Sequence, residues 1–236
     1  MHFASLGAVL SLVCLILPAA VNAGPWPRGE GNLFVTSEAV FDRVGKRAQI
    51  AHRHYLEYGL NAQVTLGATL ERQSGWVAAR RLALVTGLQA APWRGALFWR
   101  WHPGALQERT PVALELQMAP NPRNSGDRLR FAAHIGHGFE LLERSAWARL
   151  SVSAGVANRD MSGQRDASVQ IGIEAWTGAR VWLDGTLTVE NTTRIPRLGV
   201  MSAHDLSETY SMTLGYSRTF GSWREHGVRI GLWAQF

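Results

Sequence analysis

The chain closes on VRIGLWAQF, running from Val228 to Phe236. Val228, Ile230, Leu232, Ala234 and Phe236 are apolar, with Arg229, Gly231 and Gln235 on the opposite parity. A period of two marks an extended strand with two unlike faces. Chain ends are usually polar and frayed, so a phenyl ring at the close of an alternating run reads as the end of a strand.

The same alternation recurs through most of the sequence. Leu56, Tyr58 and Leu60, then Val64, Leu66, Ala68 and Leu70, fall on one parity, with a tight hairpin at Asn61-Ala62 between the two runs. Leu129, Phe131, Ala133 and Ile135 oppose Arg128, Arg130, Ala132 and His134. Ala148 to Val156, Val169 to Ala175, Val181 to Val189 and Tyr210 to Tyr216 repeat the pattern. Weaker runs lie at 31–41, 80–91, 95–102 and 111–118, and no segment after Ala23 reads as a helix of ten or more residues. Polar links fall near 42–50, 72–79, 119–127, 158–167 and 191–208, and turn chemistry marks Pro92 to Gly95, Thr177 to Ala179 and Gly221-Ser222.

These runs predict about twelve strands of about ten residues, with ten to fourteen strands compatible. A tilted strand needs about 9–11 residues to cross a bilayer, whereas strands of soluble domains average about 5–6. The polar parity carries Gly, Ser, Thr and Gln with Arg, Glu and Asp. The expected fold is therefore all-β: a transmembrane, antiparallel, up-and-down β-barrel with its apolar face outward. A soluble β-sandwich with one solvated face is the alternative, because period alone does not say which face points out. The chain has ten tryptophans. Trp76, Trp93, Trp101, Trp147, Trp176, Trp223 and Trp233 lie at strand ends or turns, where indoles form girdles at the membrane interface; ordinary core tryptophans are the other reading.

The first residues have a separate purpose. Leu6 to Leu17 is an apolar run of signal-peptide length, and Val21 and Ala23 are the small pair that signal peptidase accepts. The expected division is a cleaved signal at 1–23 and a barrel at 24–236, which points to the bacterial outer membrane. Cys14, the single cysteine, falls within the leader, so no disulfide or thiolate metal site is expected after it. The net charge of +6 comes almost entirely from scattered arginines, with Lys46 the one lysine. Behind a signal peptide, that argues against nucleic acid as a partner.

Three segments carry a family resemblance. Pro27-Arg28-Gly29-Glu30-Gly31 precedes the first run, Tyr55-Leu56-Glu57-Tyr58-Gly59-Leu60 with Thr65-Leu66-Gly67 forms the first clear hairpin, and Gly231-Leu232-Trp233-Ala234-Gln235-Phe236 closes the chain. Together they resemble a family of poorly characterised bacterial outer-membrane β-barrel proteins. Members open with a P-K-G-E-G-like segment, carry a Y-L-E-Y-G-L hairpin and end on W-Y-R-F. Arg28 stands in place of the usual Lys, and Ala234 and Gln235 in place of Tyr and Arg. The resemblance implies a barrel in the outer membrane and brings no catalytic residues. The last strand is also similar to the assembly signal of such barrels, with Arg229, Gly231, Ala234 and Phe236 at its marked positions. The implied partner is the barrel-insertion machinery, engaged by strand pairing, with outer-membrane lipid around a monomer.

Chemistry beyond the barrel is sparse. Eight histidines include His52 and His54 on one face and His134 and His137 on opposite faces, without carboxylates at metal-ligand spacing. There is no G-x-S-x-G elbow, no H-E-x-x-H, and no His followed two residues later by Ser. Neither catalysis, metal nor cofactor is expected. The inward charged candidates are Glu115, Arg128, Arg130, Arg149, Glu174, Asp184, Glu190 and Arg229. They set selectivity if the lumen conducts, or close it if they pair. The leading expectation is a passive channel or facilitator for small molecules, with an unidentified solute. The alternatives are a non-conducting scaffold or adhesin-like barrel, or a lipid-modifying barrel enzyme. If the last strand is the assembly address, Phe236→Ala lowers the amount of heat-modifiable barrel in the membrane fraction, and normal levels of that variant contradict the assignment.

Overall fold

A computed structural model gives the fold for residues 26–44, 47–78, 93–104, 110–119, 129–156, 163–190, 192–221 and 225–236. Twelve strands form it: β1 (Leu33–Val44), β2 (Arg47–Gly59), β3 (Val64–Ala78), β4 (Arg94–Trp101), β5 (Val112–Met118), β6 (Leu129–Leu141), β7 (Arg144–Val156), β8 (Arg165–Trp176), β9 (Ala179–Glu190), β10 (Thr193–Asp205), β11 (Tyr210–Thr219) and β12 (Glu225–Gln235). Each strand pairs antiparallel with its neighbour in sequence, and β1 pairs with β12 to close the ring. At that seam Leu33 and Phe236 exchange both backbone hydrogen bonds, each 2.9 Å. A closed ring has no strand edge left to satisfy. Among the described residues no helix is long and apolar enough to cross a membrane, which leaves crossing by strands open.

Parity sets the faces. Leu97, Phe131, Leu150, Ile171, Leu183, Leu198 and Ile230 stand exposed on the outside, and their strand neighbours on the other parity point into the lumen. The apolar face is the outer one, as in a membrane barrel and opposite to a soluble sandwich. The start of β1 and the end of β12 lie at one end, together with the β2–β3, β4–β5, β6–β7, β8–β9 and β10–β11 connections. The tightest of these is Leu142-Glu143, two residues with φ of 53° and 60°. Both central residues of a type I′ hairpin need positive φ, which matches the strand twist.

Several expectations from sequence are corrected. The link at 191–208 is mostly β10, which restores the alternation of connections between the two ends. Pro196 and Gly199 weaken its strand signal, and Ile195, Met201 and Ala203 put apolar residues on its inner parity. The link at 42–50 is the end of β1 and the start of β2, that at 72–79 is largely β3, and β4 begins within the turn expected at Pro92 to Gly95. Trp147 and Trp233 belong to no girdle: they share parity with Arg149 and Arg229 and point inward. Trp93, Trp101 and Trp176 are exposed at strand ends. The run at 80–91, the leader at 1–23, Arg128 and Trp223 lie outside the described residues.

The double variant Leu142→Asn, Glu143→Gly supplies the pair that a type I′ turn prefers. Relief of two non-glycine left-handed residues is expected to stabilise the barrel by about 1–2 kcal/mol. A higher urea midpoint in detergent checks this, and a lower one counts against the turn.

Candidate functional site: the lumen

Residues 26–32, just before β1, fold under the mouth at the end where β1 starts and β12 ends. Gly29 and Gly31 adopt φ of 75° and 79°, a conformation that glycine takes without strain. The resulting turn lies against Gly59. Gly31 N–H donates to the Gly59 carbonyl at 2.8 Å, and Gly59 N–H to the Asn32 carbonyl at 2.9 Å. A Cβ on Gly59 would sit 1.6 Å from the Gly29 carbonyl oxygen. The turn lifts Arg28 into the barrel, where its guanidinium pairs with Glu57 and lies 4.0 Å from the Phe34 ring centroid.

Glu57 is fully buried. It accepts from Arg28, from the Tyr55 hydroxyl and from Arg100 Nη1, the last at 2.5 Å. Arg100 donates Nε and Nη2 to Glu115 Oε2 at 2.9 and 2.7 Å. Glu115 Oε2 lies 3.6 Å from His134 Nε2, and His134 Nδ1 lies 2.9 Å from Ser151 Oγ. A polar chain thus runs from the N-terminal turn through β2, β4, β5, β6 and β7. Burial of charge is costly unless partners are close and hydrogen-bonded, and here each carboxylate has a guanidinium.

Beside this chain lies an aromatic floor. Trp147 and Trp182 have ring centroids 6.4 Å apart, Trp182 and Trp233 5.5 Å, Phe34 and Trp233 5.8 Å, Phe34 and Tyr55 6.5 Å, and Tyr55 and Phe98 5.5 Å. These rings come from β7, β9, β12, β1, β2 and β4, so the arc crosses much of the lumen. Small residues between them make the room. A Cβ on Gly172 would meet the Trp147 ring at 2.1 Å, and one on Gly67 would meet Phe98 at 2.1 Å. Ala203 and Thr213 are buried around Trp182 and Trp233. At the mouth nearby, Phe34, Arg180, Asp205, Ser211 and Trp233 line a recess of about 320 Å³.

A charged tier stands over the floor, toward the opposite end. Arg149 follows Trp147 by two positions on β7, and Asp184 follows Trp182 by two on β9. Arg229 precedes Trp233 by four on β12. Arg149, Gln170, Asp184 and Gly199 occupy one rung across β7 to β10. Asp184 acts electrostatically on both Arg149 and Arg229, and Glu38 on Arg229, against the like charges of Arg100 on Arg149 and of Arg53 and Arg197 on Arg229. Among the described residues none of these four has an ion-pair partner within 4.0 Å, and Arg149 Nε, Arg229 Nε and Asp184 Oδ1 are buried without hydrogen bonds. The remaining inward charges are mostly paired: Arg130 with Asp166 at 2.5 Å, Arg53 with Glu71 at 3.1 Å, Arg197 with Glu225 at 3.4 Å and Asp42 at 3.8 Å, and Arg180 with Asp205.

Of the charged candidates from sequence, Glu115, Arg130, Arg149, Glu174, Asp184, Glu190 and Arg229 occupy the inward parity. Glu174 faces Arg180 in register, and Glu190 lies exposed at the rim. Arg128 lies outside the described residues. Sequence reasoning missed Arg28, Tyr55, Glu57 and Arg100, which form the deepest part of the network. The signal was present: Glu57 separates two outward residues, Leu56 and Tyr58, as Arg100 separates Trp99 and Trp101. His52 and His54 face outward, next to Leu56. Gly231 turns inward, Ala234 outward, and Phe236 is exposed at the seam.

No protein-family model matches the chain, and no curated protein matches its sequence. Solved structures do match its shape. The KdgM porin aligns with a TM-score of 0.60 at 6% identity, over 85% of this chain and 99% of that one. The NanC porin gives 0.57 at 8%, over 84% and 98%. An outer-membrane channel from Pseudomonas putida F1 gives 0.54 at 10%, over 94% and 100%. At such identities the likeness establishes a shared fold, that of bacterial outer-membrane barrels.

Glu57→Ala leaves Arg28 and Arg100 without their common counter-charge. Loss of one partner from a buried pair costs about 3–5 kcal/mol, so the urea midpoint of the barrel in detergent should fall sharply. An unchanged midpoint would show that the network adds nothing to stability.

Proposed function

We propose that the protein is a passive channel for small polar solutes in a bacterial outer membrane, with the aromatic floor as its constriction. The observation that carries this reading is the tier of unpartnered charges above the floor. A barrel that serves only as scaffold gains nothing from buried ionic groups left unsatisfied, which cost stability. A lumen that handles solute needs groups free to meet it. The shared fold with porins supports the same reading. In this proposal the barrel is a monomer surrounded by lipid, inserted through its C-terminal strand by the barrel-assembly machinery, and it performs no covalent chemistry.

One arrangement favours a second reading. Ser151, His134 and Glu115 follow one another across β7, β6 and β5, the residue types of a nucleophile, base and orienting acid. Two features place this reading behind the first. Glu115 Oε2 receives two hydrogen bonds from Arg100 and stands 3.6 Å from the imidazole. The three groups also face the lumen, away from lipid acyl chains. Covalent labelling by a fluorophosphonate, abolished in Ser151→Ala, would establish the hydrolase.

Purified protein in a planar bilayer should show discrete steps of conductance. Trp182→Ala removes a ring from the middle of the floor and should raise the unitary conductance severalfold. No steps in either protein would favour the non-conducting scaffold.

A further inference from the structure

The tier above the floor has a composition that points to a ligand class. This inference rests on the proposed channel in one respect, that the lumen admits solute. Two guanidiniums, Arg149 and Arg229, and two carboxylates, Asp184 and Glu38, stand there without ion pairs among the described residues, while the other charges around them are engaged. Arg53 is held by Glu71, Arg197 by Asp42 and Glu225, and Arg100 by Glu57 and Glu115. The two carboxylates lie flat over glycine. Asp184 Oδ1 is 2.4 Å from where a Gly199 Cβ would be, and Glu38 Cγ is 2.8 Å from that of Gly231. Strands are spaced about 4.8 Å apart, so Arg149 and Asp184, separated by Gln170 on their rung, begin about 10 Å apart.

The tier is neutral in sum and divided in sign. A lone anion or a lone cation would satisfy two of its groups and repel the other two. A zwitterion satisfies all four. We propose that the lumen holds a binding site for a free amino acid with an apolar or aromatic side chain. Its carboxylate meets Arg149 and Arg229, its ammonium meets Asp184 and Glu38, and its side chain rests on Trp147, Trp182 and Trp233.

The test is a calorimetric titration of the purified barrel in detergent with L-phenylalanine, 3-phenylpropionate and phenethylamine. Saturable binding of phenylalanine is expected, at least tenfold tighter than either single-charge analogue. It should be lost in Arg149→Gln and in Asp184→Asn and kept in Arg149→Lys, with heat-modifiable mobility showing that each variant is folded. Equal affinity for 3-phenylpropionate, unchanged affinity in Arg149→Gln, or no saturable binding of phenylalanine overturns the site. Conductance is recorded separately in the same preparation. Steps of current without phenylalanine binding leave the channel standing and remove the site; binding without current keeps the site and removes the channel.

Discussion

Backbone N–H and C=O groups placed in hydrocarbon have no water to turn to, so a sheet that crosses a membrane has to close on itself. In this chain closure falls on β1 and β12, and the paired backbone of Leu33 and Phe236 is its last rung. Much else follows from that seam. Closure fixes parity all round the ring, parity sends Leu, Val and Ile outward and the polar residues inward, and the ring of inward residues becomes the molecule's interior. The seam also accounts for the segment before β1. Once Leu33 is bound to Phe236, the residues ahead of it emerge under the mouth, and the turn at Gly29 and Gly31 directs Arg28 back toward Glu57.

The interior obeys a rule of size as well as of polarity. A ring of twelve strands is too wide for ordinary side chains to fill and narrower than the barrels of open porins. Three of the large rings that reach across it, Trp147, Trp182 and Phe98, do so where an adjacent strand offers glycine. Gly172 lies opposite both Trp147 and Trp182 in register, and Gly67 opposite Phe98. The glycines on the polar parity are therefore part of the floor's construction. Aromatic pairs of this kind add about 0.5–1.5 kcal/mol each beyond their burial, and they stiffen one end of a barrel whose lumen otherwise holds charges.

The fold is legible in the sequence to the extent that one face stays apolar. Tyr210 to Tyr216 and Val228 to Phe236 alternate without interruption and cover most of β11 and of β12. β10 is not legible in that way, because Met201 and Ala203 are apolar on the inner parity while Pro196 and Gly199 interrupt the outline. Its inner residues are apolar because they pack beside Trp182, a tertiary fact that no local pattern carries. The same holds for Trp147 and Trp233. Position near a strand end suggests the interface, but parity decides, and parity places them with Arg149 and Arg229. The segments 27–31, 55–60 and 231–236 meet around Phe34, whose ring contacts Arg28, Tyr55 and Trp233, while Arg28 pairs with Glu57 and Gly29 lies against Gly59.

The contrast between the two layers of the lumen bears on the proposed role of the interior. Below the tier, Arg28, Glu57, Arg100 and Glu115 alternate in sign and each carboxylate accepts from a guanidinium, the arrangement in which buried charge is tolerated, although Arg28 Nη1 and Nη2 stay without hydrogen bonds. A few ångströms away Arg149, Arg229 and Asp184 keep buried polar atoms without partners, although short sequence changes could pair them. Gln170 stands between Arg149 and Asp184 on their rung, where a glutamate could serve Arg149, and Val40 stands opposite Arg229, where an aspartate or glutamate could do the same. A scaffold under selection for stability alone would gain from either change. Neutral residues stand at both positions, beside a network in which this lumen forms ion pairs, and that combination agrees with the proposed site for solute better than with a sealed barrel.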